Sequence, residues 1–245
     1  MPFFYDYSKP GSSVSLPLFP LLCIILSTFK PMKYKHIIWD WNGTLLNDLT
    51  LCVDLLNISL SKRKLPAMTE DRYREKFLFP IKTFYESIGF DFSEEDFTLA
   101  NDEFHSGFEK NFQKLALQPY AVNTISHFKQ LGIKQSILSA TVQERLEKQV
   151  EFFGINHLLD YVVGISNTPS GYGKEFEGKE LLKKIDLPLN ETIIVGDSML
   201  DFNVAKALEI DCVLLSNGHN NLKRLEATGS KTFSNIQSFS DWILE

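Results

Sequence analysis

The segment His36-Ile37-Ile38-Trp39-Asp40-Trp41-Asn42-Gly43-Thr44 sets a carboxylate directly after an apolar run, followed by a glycine turn and a hydroxyl. The apolar run reads as a buried strand, and the carboxyl ends of strands are where open α/β sheets bind ligands. A carboxylate there can attack an electrophile, ligate a cation, or do both. Three later apolar runs lead into polar groups of matching chemistry. Ser136-Ile137-Leu138 ends in Ser139-Ala140-Thr141. The stretch after Tyr161 to Ile165 leads to Lys174, with Lys179 close behind. Thr192 to Val195 ends in Gly196-Asp197-Ser198, with Asp201 shortly after. Two or three carboxylates suit Mg²⁺, which takes oxygen ligands and keeps waters for a substrate phosphate. A hydroxyl and a lysine neutralise the remaining phosphate oxygens, and Asp40 is left to attack phosphorus. Each piece alone has a plainer explanation: a helix cap for a strand-end Asp, a turn for Gly-Asp-Ser, a surface position for a lysine. The weight rests on all of them arriving in order, each after an apolar strand.

The elements that must position these groups follow from periodicity. Ile37 to Trp39 reads as the first core strand. From about Leu46 to Leu117 the pattern is helical and rich in aromatics, punctuated by Pro66, Phe79-Pro80, Gly89-Phe90 and Gly107, and closed by Pro119. After Pro119 strands and helices alternate: helices over Thr124 to Leu131, Val142 to Phe153, Gly178 to Ile185 and Val204 to Leu208, and strands ending at Leu138, Ile165, Val195 and Leu215. That alternation predicts an α/β fold with a doubly wound parallel sheet and helices on both faces. The expected organisation is an α/β core over residues 32–46 and 119–245, with a helical insertion over 47–118 across the carboxyl edge of the sheet.

Composition bounds the partners. The chain has 245 residues, 44% hydrophobic and 23% charged, as in ordinary soluble domains. The net charge of −6 and the absence of a basic run beyond Lys62-Arg63-Lys64 argue against nucleic acid, whose phosphates need clustered Lys and Arg. Cys23, Cys52 and Cys212 are far apart and odd in number, which gives no disulfide framework and suits a reducing cytoplasm. Residues 1–31 read as a dispensable apolar extension, since Met32 leads directly into the first strand. The uncharged run over 11–29 leaves a weak membrane anchor or a secretory signal as alternatives.

The same residues resemble a known family. Asp40-Trp41-Asn42-Gly43-Thr44 is similar to motif one of the haloacid dehalogenase superfamily, Asp-x-Asp-x-Thr. Leu138-Ser139 resembles motif two, Lys174 motif three, and Gly196-Asp197-Ser198-Met199-Leu200-Asp201 motif four. The insertion resembles the helical C1 cap of the phosphoglycolate phosphatase-like branch. The resemblance implies a Rossmann-like core and hydrolysis of a small phosphorylated metabolite through an aspartyl-phosphate on Asp40. It implies Mg²⁺ held by Asp40, the backbone carbonyl of Asn42, Asp197 and Asp201. Thr44, Ser139, Ala140 and Lys174 are expected at the phosphoryl group. Phe79, in a segment like the specificity loop of such caps, is expected at the rest of the substrate.

Asn42 departs from that pattern. Most family phosphatases carry there an Asp that protonates the leaving group, and an amide cannot transfer a proton at neutral pH. General acid–base catalysis is worth about 10²–10⁴-fold. Three readings stay open: a phosphatase whose substrate needs no acid or finds another, a phosphonatase using a cap lysine such as Lys62, Lys64, Lys76 or Lys82, and a weakly catalytic phosphate-binding protein. If proton donation limits the rate, Asn42→Asp should raise turnover on poor leaving groups.

Overall fold

Strand β1, His36–Trp39, is buried along its whole length and lies at the centre of a six-stranded sheet. It pairs in parallel with β4, Lys134–Val142, on one side and with β6, Thr192–Gly196, on the other. Beyond them lie β5, Tyr161–Ile165, next to β4, and then β7, Asp211–Leu215, and β8, Lys231–Phe233, next to β6. Every pairing in this sheet is parallel, so the chain must cross over between strands, and helices make the crossovers. The spatial order β5-β4-β1-β6-β7-β8 is that of a doubly wound sheet. The chain winds outward from β1 in one direction, returns, and winds outward in the other. The reversal leaves a crevice at the carboxyl ends of β1 and its neighbours, where Asp40 and Asp197 stand.

The computed structural model describes residues 32–166 and 174–245, of which Lys33–Glu245 form one compact unit. The expectations placed on residues 1–31, Cys23 included, and the glycine-rich loop before Lys174 lie outside the described residues. No helix among the described residues is long and apolar enough to cross a membrane.

Four helices stand between β1 and β4 in the chain: α1 Leu49–Lys62, α2 Glu70–Lys76, α3 Ile81–Ser87 and α4 Phe97–Asn111. Their starts are locally encoded where the side chain of Thr69 accepts from the backbone of Arg72, and that of Asp96 from Thr98. Aromatic rings pack them together, with Tyr85 stacked on Phe90 and Phe84 edge-on to Phe77. The basic triplet at the end of α1 is more than a solvated end. Arg63 bridges Glu95 and Glu103, tying α1 to α4. A two-residue antiparallel pair that the helical pattern did not reveal, β2 Leu46–Asn47 with β3 Ala116–Leu117, joins the two ends of this insertion.

Three of the core helices run longer than the periodic stretches, and the one expected over Val142 to Phe153 is shorter by a residue at each end. Helix α5 covers Ala121–Gln130, α6 Gln143–Phe152, α7 Glu175–Ile185 and α8 Met199–Leu208. The last strand β8 and the helices α9, Leu222–Glu226, and α10, Ile236–Leu244, were not anticipated. Phe239 of α10 covers Trp39 edge-on and so closes the core over the central strand. The two central tryptophans are buried with their polar edges satisfied, Trp39 Nε1 donating to Gln135 at 3.1 Å and Trp41 Nε1 to Gln149 at 2.8 Å.

Candidate functional site

Asp40 follows β1 directly, its backbone N–H donating to Val195 O of β6 at 2.8 Å, so the ladder holds its carboxylate at the strand end. Asp197 directly follows β6. Asp201 lies in the first turn of α8, where its Oδ2 accepts from Ser198 N at 3.0 Å, Ser198 Oγ at 2.7 Å and Asp197 N at 3.2 Å. The helix-cap explanation of this motif is therefore correct as far as it goes, but it uses one oxygen only. Oδ1 of Asp201 points to Nζ of Lys174 at 2.7 Å. The same ammonium contacts Asp40 Oδ1 and donates to Leu138 O at 2.8 Å. Lys174 is fully buried, whereas Lys179 is exposed on α7. Carboxylate oxygens of Asp40, Asp197 and Asp201 lie within 4.8 Å of one another.

The electrostatics of this cluster are those of charges forced together away from water. Burial, with the charge of Asp201 beside it, pushes the Asp40 carboxyl well above the usual carboxylate range, and Lys174 pulls it back. Burial likewise raises Asp197 to about 6, against the opposing pull of His219. Burial disfavours the Lys174 ammonium, but Asp201 and Asp40 outweigh it and keep the lysine charged.

Thr44, expected to touch substrate, is fully buried and donates instead to Asp197 Oδ1 at 2.8 Å. Its hydroxyl is spent on orienting a carboxylate. Gly43 shows why the turn needs glycine. Its φ is +80°, and a Cβ there would fall 2.3 Å from Asp197 Oδ2. Ser139 is buried beyond the ladder between β1 and β4, where the pairing of β4 with β5 shifts register between Leu138 and Val142. Such an irregularity re-aims side chains at a strand end. Ser139 Oγ accepts from Thr141 N at 3.0 Å, and Ala140 is half-buried beside it. Phe79, half-exposed on the insertion, reaches the site only through other rings. It packs edge-on against Phe77, which lies 5.1 Å from the ring of His219.

Asn42 is held at both ends of its amide. Nδ2 donates to Asp48 Oδ2 at 2.7 Å, and Oδ1 accepts from Thr141 Oγ1 at 2.8 Å. Asp48 and His219 are functional candidates that sequence reasoning missed. His219 N donates to Asp197 Oδ2 at 2.5 Å, its Nε2 faces Asp48 Oδ1 at 3.2 Å, and its Nδ1 faces the hydroxyl of Tyr73 at 3.2 Å. Burial opposes a charge on His219, but Asp48, with Asp197 and Asp40 beyond, raises its pKa to about 9. Histidine 219 follows β7, and a polar Ser-Asn-Gly-His run after a fifth apolar strand was the available signal. The loop that carries it also receives the insertion. Arg74 Nε donates to Gly218 O at 3.0 Å, and Asn220 Nδ2 to Phe77 O at 3.1 Å.

The donor set fits a hard divalent cation. Four buried carboxyl groups, Asp40, Asp48, Asp197 and Asp201, face two basic groups, Lys174 and His219, so acidic groups outnumber basic ones at the site. The buried Oδ1 of Asp201 makes no hydrogen bond, its close partner among the described residues being the lysine. Oxygen donors of this kind suit Mg²⁺.

A model of haloacid dehalogenase-like hydrolases matches residues 37–215. A phosphoglycolate phosphatase of Pseudomonas fluorescens is 22% identical over 223 residues, covering 86% of this chain and 80% of that protein. The fold is shared with a protein from Haemophilus somnus 129PT described as a predicted phosphoglycolate phosphatase (TM-score 0.71, 19% identity, 87% of this chain and 99% of that one). It is shared equally with Protein Tyrosine Kinase A of Mycobacterium tuberculosis (TM-score 0.71, 18% identity, 86% and 98%). The fold alone therefore leaves the reaction open, and the site must decide it. With that match running from the first strand to the end of β7, the chain belongs to the haloacid dehalogenase-like hydrolases.

Proposed function

We propose that this chain is a Mg²⁺-dependent phosphatase that hydrolyses a small phosphate monoester, phosphoglycolate-like in class, through an aspartyl-phosphate on Asp40. The observation that carries this reading is the contact of one buried ammonium, Lys174, with both Asp40 and Asp201. Lys174 occupies Asp40 Oδ1, and among the described residues none donates a hydrogen bond to Oδ2. One carboxylate oxygen is thus fixed and its partner is left to attack.

In this reading Asp40, Asp197, Asp201 and the backbone carbonyl of Asn42 hold the cation, which supplies charge neutralisation for phosphate and carboxylates alike. Lys174 opposes the effect of burial on the Asp40 carboxyl and then faces the phosphoryl oxygens, with Ser139 and Ala140 at the same strand ends. The attack of Asp40 on phosphorus breaks the ester bond and expels the alkoxide, which takes its proton from water. Water then cleaves the acyl phosphate, returning the carboxylate and inorganic phosphate. The helical insertion acts as a cap, seated through Tyr73, Arg74 and Phe77 on the loop after β7, and sheds water from the crevice. The free thiols of Cys52 and Cys212 suit a cytoplasmic setting.

The phosphonatase alternative gains no support from the insertion. Lys62, Lys64, Lys76 and Lys82 are all exposed, and Lys62 and Lys82 pair with Glu103 and Glu86. A Schiff-base lysine is a desolvated one. The test is a panel of small phosphate monoesters with Mg²⁺. Turnover of at least one, lost by about 10³-fold or more in Asp40→Asn, is the expected result. Activity that survives this substitution overturns the assignment of the nucleophile, and ligand binding without any turnover overturns the enzyme.

A further inference from the structure

The amide of Asn42 and the carboxylate of Asp48 form a matched pair, and the match has a direction. Asp48 is buried and accepts on both oxygens. Oδ1 takes Gly43 N at 2.9 Å and His219 Nε2 at 3.2 Å, and Oδ2 takes Asn42 Nδ2 at 2.7 Å. An ionised carboxylate can only accept, so the group facing it from residue 42 must be a donor. The other end of the amide is equally committed, since Asn42 Oδ1 takes the Thr141 hydroxyl at 2.8 Å. An aspartate at position 42 would set two acceptor-only groups against each other at hydrogen-bond distance. Asn42 is half-buried at the site, whereas the Asp48 side chain is fully enclosed.

We propose that Asp48 is a positioning residue for the phosphatase reaction, which it serves by dictating the amide at position 42 and fixing that amide between itself and Thr141. Position 42 does not lack an acid by decay. Its identity is set by an acid located six residues further along the chain. The pair is also exchangeable. An asparagine at 48 can turn its oxygen to Gly43 N and His219 and its NH₂ to an aspartate at 42, whose second oxygen still takes the Thr141 hydroxyl. The hydrogen bonds to Gly43, His219 and Thr141 and the one within the pair are kept, only the long contact of the Cys52 thiol with Asp48 Oδ2 at 3.6 Å losing its acceptor, and the carboxylate moves to the partly open member of the pair. The expectation that Asn42→Asp alone improves turnover is thereby reversed.

The positioning role rests on the phosphatase reading, but the pairing does not, and the test separates them. Unfolding equilibria and steady-state kinetics with p-nitrophenyl phosphate and a simple alkyl phosphate are measured for Asn42→Asp, Asp48→Asn and the exchange Asn42→Asp/Asp48→Asn. Each single substitution is expected to raise the unfolding constant about tenfold and to lower kcat about tenfold, and the exchange to recover most of both losses. The exchange should also raise the alkyl-to-aryl ratio of kcat above that of the wild type, because a proton donor helps poor leaving groups most. A single Asn42→Asp that keeps full stability and gains turnover overturns the proposal, as do effects that simply add in the exchange. Recovery of stability with an unchanged ratio overturns the positioning role. If neither single variant folds, recovery of a folded chain by exchange is the expected result, and its failure to fold overturns the pairing. Absence of turnover in the wild type defeats the phosphatase reading and leaves the unfolding cycle to decide the pair.

Discussion

Nζ of Lys174 lies 2.7 Å from Oδ1 of Asp201, and neither side chain is more than 1% exposed. The lysine follows the loop after β5 and the aspartate opens α8, so this ion pair ties together two crossovers that share no hydrogen-bonded ladder. Removing one partner of a buried pair leaves the other charge uncompensated, at about 3–5 kcal/mol. Lys174→Met should therefore lower the stability of the cation-free protein by that order at pH 8. The loss should shrink toward pH 5, because burial already favours protonation of Asp40 and Asp197. Denaturant unfolding at the two pH values checks this. Equal stability of variant and wild type at pH 8 would refute the picture of a strained anionic cluster.

The excess of carboxyl over basic groups at the site predicts a response to Mg²⁺ without any substrate. A ligand that binds only the folded state stabilises it by RT ln(1 + [L]/Kd), about 2.7 kcal/mol at a hundredfold excess over Kd. The thermal midpoint should rise with Mg²⁺ and saturate, and Asp197→Asn should abolish the rise. A midpoint that climbs equally in the variant would place the cation elsewhere.

Much of this site was legible because strand ends announce themselves. Asp40, Ser139 and Asp197 each follow a run of apolar β-forming residues, and a doubly wound sheet has one place to bring such ends together. Lys174 was read from the glycine-rich loop after Tyr161 to Ile165, where the resembled family carries its lysine, and its exclusion of Lys179 is a matter of helix face: Lys179 falls on the solvent side of α7. Asp48 and His219 were harder. Asp48 begins a helical pattern and looks like a cap residue, yet its side chain makes no cap bond and turns back to Gly43 and Asn42. Nothing local marks His219 as its partner 171 residues away. The strand β8 is three residues long and leaves no periodicity to detect. Thr44 was placed at the phosphoryl group by the resemblance, but its hydroxyl donates to the buried carboxylate of Asp197.

His219 makes stability depend on alkaline pH. Its pKa is raised in the folded chain from an ordinary 6.5 to about 9. A group bound more tightly to its proton when folded contributes stability that is fully present below 6.5 and is lost as pH rises through 9. The difference corresponds to roughly 3 kcal/mol, at 1.36 kcal/mol per pH unit. The cation-free protein should lose stability between pH 7 and 10, and His219→Gln should flatten that part of the profile while lowering stability at pH 7. A wild-type profile level across this window would show that the Asp48–His219 contact does not hold a proton.

Substitution of Phe79 tests whether leaving-group recognition is separate from phosphate recognition. It is 37% exposed and packs edge-on to Phe77 at 5.4 Å, while Phe77 is buried against Tyr73, Phe84 and His219. Truncating a ring that is already half in water costs little, so Phe79→Ala should change stability by under about 1 kcal/mol. Phe77→Ala should cost about 3–5 kcal/mol, because it opens a cavity where the insertion meets the loop after β7. If Phe79 meets the organic part of the substrate, its loss raises KM several-fold with kcat nearly constant, the pattern of uniform binding removed. Inhibition by inorganic phosphate should be untouched, since phosphate alone occupies the strand ends and has no leaving group to meet the insertion. A matching rise in the phosphate inhibition constant would mean that Phe79 acts by seating the insertion as a whole, and the ring would then be part of the hinge between insertion and core instead of the substrate's wall.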